Sequence, residues 1–304
     1  MAVIGEAELT LGPVLFNWPP EVWRDFYFRI ADEAPVAAVY VGEVVCSKRA
    51  VFIEPLYEAV AERLRSGGKT VVFSTLSEVM LNLDRKMVKA VAGAPDAMIE
   101  ANDSAALWHL AGRAHHVGPF VNVYNEDTMA VLARRGAVNF CLPGEVPLKS
   151  LAAMGAAAKN LGVSLETQVF GRQPLALSAR CYHARAHGLT RDSCLFVCEE
   201  DPDGLALETL AGQPFLAING IQTMSHDYLV LLRELADLAA MGIARLRLSP
   251  QTCDMVAVAR LYRGVLDRAI TPDEALHELS ILGITAPFAN GFAHRQPGHR
   301  WVEA

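Results

Sequence analysis

Short β-branched runs alternate with amphipathic stretches of helical length along almost all of this 304-residue chain, at a period of about thirty residues. Such alternation predicts a parallel sheet covered by helices, because a parallel return needs a crossover long enough to hold a helix. About eight units can be read. Their strand runs are LTLGPVLFN (9–17), VAAVYVG (36–42), KTVVFST (69–75), AMIEAN (97–102), PFVNVYN (119–125), AVNFCLP (137–143), VSLETQV (163–169) and IARLRLSP (243–250). Eight βα units predict an α/β fold, a (β/α)8 TIM-like barrel, as a single domain over residues 1–304. The last two runs stand about seventy residues apart, far more than a βα connection needs. An inserted segment at about 170–242 is therefore expected between strands 7 and 8, at the barrel end where catalytic loops gather.

Charge narrows the partners. With 27 basic against 34 acidic residues and a formal charge of −7, the chain has no excess of cations with which to neutralise phosphate or anionic lipid. Nucleic acid is set aside as a partner. The sequence holds no apolar run of the roughly 18 residues that a membrane span needs. The opening twenty residues lack a basic region and carry Glu6 and Glu8. A cytoplasmic location is expected, where thiols stay reduced and cysteines read as ligands, nucleophiles or core fillers before disulfides.

Three of the six cysteines fall inside the expected insertion. Cys181, Cys194 and Cys198 are separated by twelve and then three residues. Cys46 lies 135 residues before Cys181, yet it follows the second strand as the trio follows the seventh. Both groups are thereby placed on the C-terminal face of a barrel, which makes a four-thiolate site plausible. Four thiolates suit a structural zinc ion or an iron–sulfur cluster, and spacing leaves the two open. Cys141, inside an apolar strand, reads as a small core residue, and Cys253 near a helix start reads as structural.

Other polar residues at strand ends are Glu43, Glu100, Asn102, Asn122, Tyr124, Asn125 and Gln168. Taken singly, each reads first as a cap or loop-packing residue, as do Asp103 and Ser104, with Glu43 set apart by its nearness to Cys46. His183 and His187, spaced i and i+4, read as solvated or supporting residues of a polar loop. His115 and His116 precede the fifth run, which puts them at the far end of the barrel. No G-x-S-x-G elbow or H-E-x-x-H helix is present.

Segments spread over most of the chain carry a resemblance: LGPVLFNWP, VYVGEVVCSKRA, LSARCYHARAHG, the Cys194 and Cys198 pair, FLAINGIQTMS and NGFAHRQPG. They are similar to the family of collagenase-like peptidases of the U type, and within it to the branch that serves oxygen-independent ubiquinone biosynthesis. The resemblance implies a [4Fe–4S] cluster on Cys46, Cys181, Cys194 and Cys198. It further implies a heterodimer with a paralogue of the same family, and a part in hydroxylating the ring of the ubiquinone precursor without oxygen. The precursor or its lipid carrier protein would then be a further partner. A metal-stabilised scaffold or substrate-binding subunit is the alternative, and a true peptidase a weaker one.

Overall fold

The computed structural model describes residues 7–284 and 286–303, so Glu6 and Ala304 lie outside it. Seven parallel strands come first: β1 (Glu8–Leu11), β2 (Ala38–Val41), β3 (Thr70–Ser74), β4 (Met98–Ala101), β5 (His115–Val117), β6 (Ala137–Leu142) and β7 (Ser164–Leu177). After β8 (Leu205–Glu208), β9 (Pro214–Asn219) and β10 (Gln222–Val230) comes β11 (Arg245–Leu248), the eighth barrel strand. It pairs in parallel with both β7 and β1, which closes the barrel. The fold is a (β/α)8 barrel.

Helices cover the outside. α1 (Pro20–Glu33) starts on a proline at its first position, where a missing N–H costs nothing, and buries Trp23, Tyr27, Ile30 and Ala31 along one stripe. Full burial of each large apolar side chain contributes roughly 1.5–3 kcal/mol. Pro55 divides the next crossover into α2 (Ser47–Ile53) and α3 (Tyr57–Ser66), joined by a single 3-10 turn. The outer ring continues with α4 (Asn82–Ala92), α5 (Ser104–His109), α6 (Glu126–Ala133) and α7 (Leu148–Leu161). After the short α8 (Tyr182–Ala186) and α9 (Leu235–Ala240), it ends with α10 (Met255–Leu266) and α11 (Pro272–Ser280). Thr271 and Glu274 form a reciprocal capping box at the start of α11, as the Thr-Pro-Asp-Glu run predicts.

The fifth strand corrects the sequence reading. The run PFVNVYN is a 3-10 turn at Pro119–Val121 followed by loop, and the strand is His115–Val117 just before it. Pro119 cannot donate to a ladder paired on both sides, and Asn122 adopts a left-handed φ of 60°, so this run cannot serve as a central strand. His115 and His116 therefore lie within the barrel wall.

The seventh strand is twice as long as expected and does two jobs. Ser164–Phe170 belongs to the barrel, whereas Phe170–Leu177 leaves its mouth as an antiparallel ribbon with β10. The strand turns at Gly171, whose φ of +102° suits glycine and where a Cβ would stand 2.9 Å from the Ser249 carbonyl oxygen. Gln168 clasps this corner, donating from Nε2 to the carbonyls of Phe170, Gly171 and Arg172. β8 and β9 extend the ribbon, and β12 (Phe288–Ala289) pairs beside β10. No helix among the described residues is long and apolar enough to cross a membrane.

Candidate functional site

Two cavities flank the ribbon. The first is ringed by Cys46, Cys181, Cys194 and Cys198, together with Lys48 and Arg49. Including its opening to solvent it measures ≈ 380 Å³. Thus the remote cysteine and the local trio, which the sequence places on one barrel face, border one space.

Each wall has an identifiable cause. Cys46 directly precedes α2, on a loop that Glu43 shapes from within: buried Glu43 accepts hydrogen bonds from the backbone N–H of Val45 (2.7 Å) and Cys46 (2.8 Å). Burial pushes the Glu43 carboxyl up, and Arg49 and the two amides oppose the shift. Opposite, Cys181 precedes α8, Cys194 sits on the loop after it, and Cys198 lies in the 3-10 turn Val197–Glu199 that follows. Lys48 ties that loop to α2, its Nζ donating to the carbonyls of Arg191 (2.8 Å) and Asp192 (3.2 Å) and lying 3.4 Å from Cys194 Sγ. Asn17 Nδ2 meets Cys198 Sγ at 3.4 Å. Arg49, 2% exposed, donates to the Leu15 carbonyl and to Asn219 Oδ1, and its charge also faces Cys198 and Cys46. Gly220 makes room for it. Its φ is +61°, and an added Cβ would stand 2.6 Å from Arg49 Nη2.

Sulfur atoms beside amine, guanidinium and amide donors form an environment suited to thiolates. Burial raises the Cys46 and Cys181 thiols, and the Arg49 charge acts against the rise at both. The four sulfurs do not crowd on one point. Among the described residues, the set of three ligand atoms lying mutually within 4.8 Å is His183, His187 and Asp201. A tetrahedral zinc with bonds of about 2.3 Å would bring its sulfurs to roughly 3.8 Å from one another. Zinc and iron–sulfur clusters both take thiolate donors, and in a cluster each thiolate binds its own metal atom.

The second cavity is the barrel mouth. It measures ≈ 1410 Å³ including its opening and is bordered by Asn102, Phe120, Tyr124, Cys141, Gln168 and Arg247, among others. Through Arg247 it borders a polar layer inside the barrel to which every barrel strand contributes one residue: Thr10, Tyr40, Ser74, Glu100, His116, Asn139, Glu166 and Arg247. At its centre Glu166, fully buried, accepts from Thr10 Oγ1 (2.5 Å), the Tyr40 hydroxyl (2.6 Å), Asn139 Nδ2 (2.9 Å) and Arg247 Nε and Nη2 (both 2.9 Å). Burial alone would raise its pKa, but Arg247 and the hydroxyl donors outweigh that and bring it to about 2. Arg247 also faces Glu100 Oε1 at 2.7 Å and stacks 3.9 Å from the centre of the Tyr40 ring. Because the Tyr40 hydroxyl donates to Glu166, it accepts from His116 Nδ1 at 3.0 Å. Burial lowers His116 to about 4, so its ring is neutral at pH 7.

The remaining predicted residues divide. Asp103 and Asn125 are N-caps of α5 and α6, whereas Ser104 is the first residue of its helix. Glu100 and Asn102 belong to the mouth, and Asn102 Oδ1 is buried there without a hydrogen-bond partner. Tyr124 donates to Glu145 at the rim. Cys141 is buried at the edge of the mouth, and burial pushes Cys253 up to about 12. His183 lies in the short α8 and His187 caps its C-terminal end; the two rings stack, His187 is exposed as a solvated residue would be, and His183 is wholly buried against Asp201.

Sequence reasoning missed Glu166, Arg247, Tyr40 and His116. The signal was available. VSLETQV and IARLRLSP carry charges within strands that a closed parallel barrel buries on both faces, where a charge demands a partner. The two cavities share no lining residue, yet β7 joins them: Pro174–Leu177 borders the mouth, and Cys181 follows four residues after Leu177.

Among solved structures, the chain is similar to a protein named as a fructose-1,6-biphosphate aldolase from Coccidioides immitis, with 9% identity, 93% of each chain covered and a TM-score of 0.41. It is also similar to the spore cortex-lytic enzyme SleL of Bacillus megaterium, with 8% identity, 80% of this chain and 70% of that one covered, and a TM-score of 0.28. The sequence model of peptidase family U32 matches residues 24–303, nearly the whole chain, and the protein therefore belongs to the U32 family.

Proposed function

We propose that this U32 chain is a UbiV-like iron–sulfur subunit, acting with a UbiU-like paralogue in oxygen-independent hydroxylation of the ubiquinone precursor ring. The observation that supports this reading best is the ring of Cys46, Cys181, Cys194 and Cys198 around one cavity beside the barrel mouth. A [4Fe–4S] cluster bound there would supply one-electron redox chemistry, with a potential set by burial and by hydrogen bonds to its sulfurs. Lys48, Arg49 and Asn17 are the donors that would do that setting. The mouth, with Phe120 and Tyr124 on its wall and Asn102 and Arg247 at its floor, has the makeup of a cavity for an aromatic ring bearing polar substituents. Neutral His116 and ionised Glu166 hold Tyr40 and Arg247 in fixed orientations beneath it.

The test is purification without air, from cells that also express the paralogue, followed by iron and sulfide analysis. A brown protein with about four irons and four sulfides per chain, eluting with the paralogue, is expected. Colourless protein holding stoichiometric zinc would overturn the cluster assignment.

The alternative is a scaffold or substrate-binding subunit whose metal only pins the insertion. Lys48 gives it a specific basis, because this one side chain bridges α2 to the cysteine loop and so shares the work of holding the insertion. Hydroxylation restored by a redox-inert ion would favour that reading. For a peptidase, the histidine hydrogen bonds of the described residues run to Tyr40, to carboxylates and to the Arg113 carbonyl. None runs to the serine, threonine or cysteine that a nucleophilic mechanism requires.

A further inference from the structure

We infer that His183, His187 and Asp201 form a binding site for one divalent first-row transition-metal ion, separate from the four thiols. The two imidazoles stand one helical turn apart at the ends of α8, stacked at 5.6 Å between centroids and 7° from parallel. One ligand atom from each of the three residues lies within 4.8 Å of the other two.

The site is built by burial. His183 is wholly buried, and its Nε2 meets Asp201 Oδ2 at 2.9 Å, while its Nδ1 is buried with no hydrogen-bond partner. His187 is exposed and Asp201 partly so, which leaves the site a route to solvent.

Two imidazoles and one carboxylate select a borderline ion such as Zn²⁺, Fe²⁺ or Co²⁺ over Mg²⁺ or Ca²⁺, which prefer a full set of oxygens. Three protein ligands leave at least one position for water or another small ligand, the arrangement of a reactive site and not a closed structural one. His183 also borders the cysteine cavity, so the ion would sit beside that site on a different donor chemistry.

Titration of the full-length protein with Co²⁺ under anaerobic conditions tests this, because nitrogen and oxygen ligands give weak ligand-field bands whereas thiolates add intense charge-transfer bands. One equivalent of Co²⁺ lacking the thiolate bands is expected, in protein whose thiols are occupied by a reconstituted cluster and also in a variant with Cys46, Cys181, Cys194 and Cys198 all changed to Ser. His187→Ala changes an exposed side chain and should weaken binding by about tenfold or more, since even the loss of a residue supporting a ligand costs that much. Asp201→Asn should weaken it similarly. Affinity unchanged in both His187→Ala and Asp201→Asn, or binding seen only with thiolate bands and abolished by the four-Ser variant, would overturn the assignment. If the protein carries no cluster at all, binding by the four-Ser variant still decides this inference independently of the proposed function.

Discussion

Replacing Arg247 by Met tests whether the barrel interior is held by charge. Met has similar length and keeps an apolar stem over the Tyr40 ring, but it removes the cation that serves both Glu166 and Glu100. Glu166 is wholly buried and titrates at about 2 instead of 4.5. At 1.36 kcal/mol per pH unit, that gap corresponds to roughly 3 kcal/mol of native-state stabilisation. Because the folded value is depressed, this contribution is complete above the unfolded value near 4.5 and is lost as pH falls toward 2. A buried carboxylate left without its partner costs about 3–5 kcal/mol, so Arg247→Met should lose that much at pH 7. In the variant Glu166 takes up a proton more readily, and the difference from the parent should shrink to roughly 1–2 kcal/mol at pH 3. Urea unfolding followed through the buried Trp23 measures both. A loss equal at pH 3 and pH 7 would show that packing, and not charge, is what Arg247 contributes.

Further outcomes follow from the cysteine cavity. Cys181→Ala or Cys194→Ala should abolish iron and sulfide retention after anaerobic reconstitution, whereas Cys141→Ala and Cys253→Ala, which do not border the cavity, should keep it. Glu43→Ala removes the acceptor of one buried and one partly buried backbone amide and should destabilise the protein by about 1–3 kcal/mol and lower iron content, with Glu43→Gln restoring most of both. Gly220→Ala sets a Cβ against Arg49 at a positive φ and should cost about 1 kcal/mol or more in urea unfolding.

The periodicity of the chain sufficed for the barrel, because hydrophobic pattern is local and each strand–helix unit announces itself. It also pointed to extra chain between strands seven and eight, since seventy residues exceed any simple connection. Local pattern misplaced β5, where PFVNVYN has strand composition but Pro119 and Asn122 have turn geometry, and His115–Val117 is too short to stand out. Register and long-range pairing were beyond it. That Gly171 ends the barrel part of β7 and starts a ribbon, or that one polar residue from each of eight strands meets around Glu166, depends on how strands far apart in sequence align. The same holds at the cysteines. Spacing proposed four ligands at one barrel end, while the folded chain decided that Lys48, Arg49 and Asn17 stand against their sulfurs, because those neighbours come from two segments, after β1 and after β2, that only the tertiary fold brings to the cysteine loop.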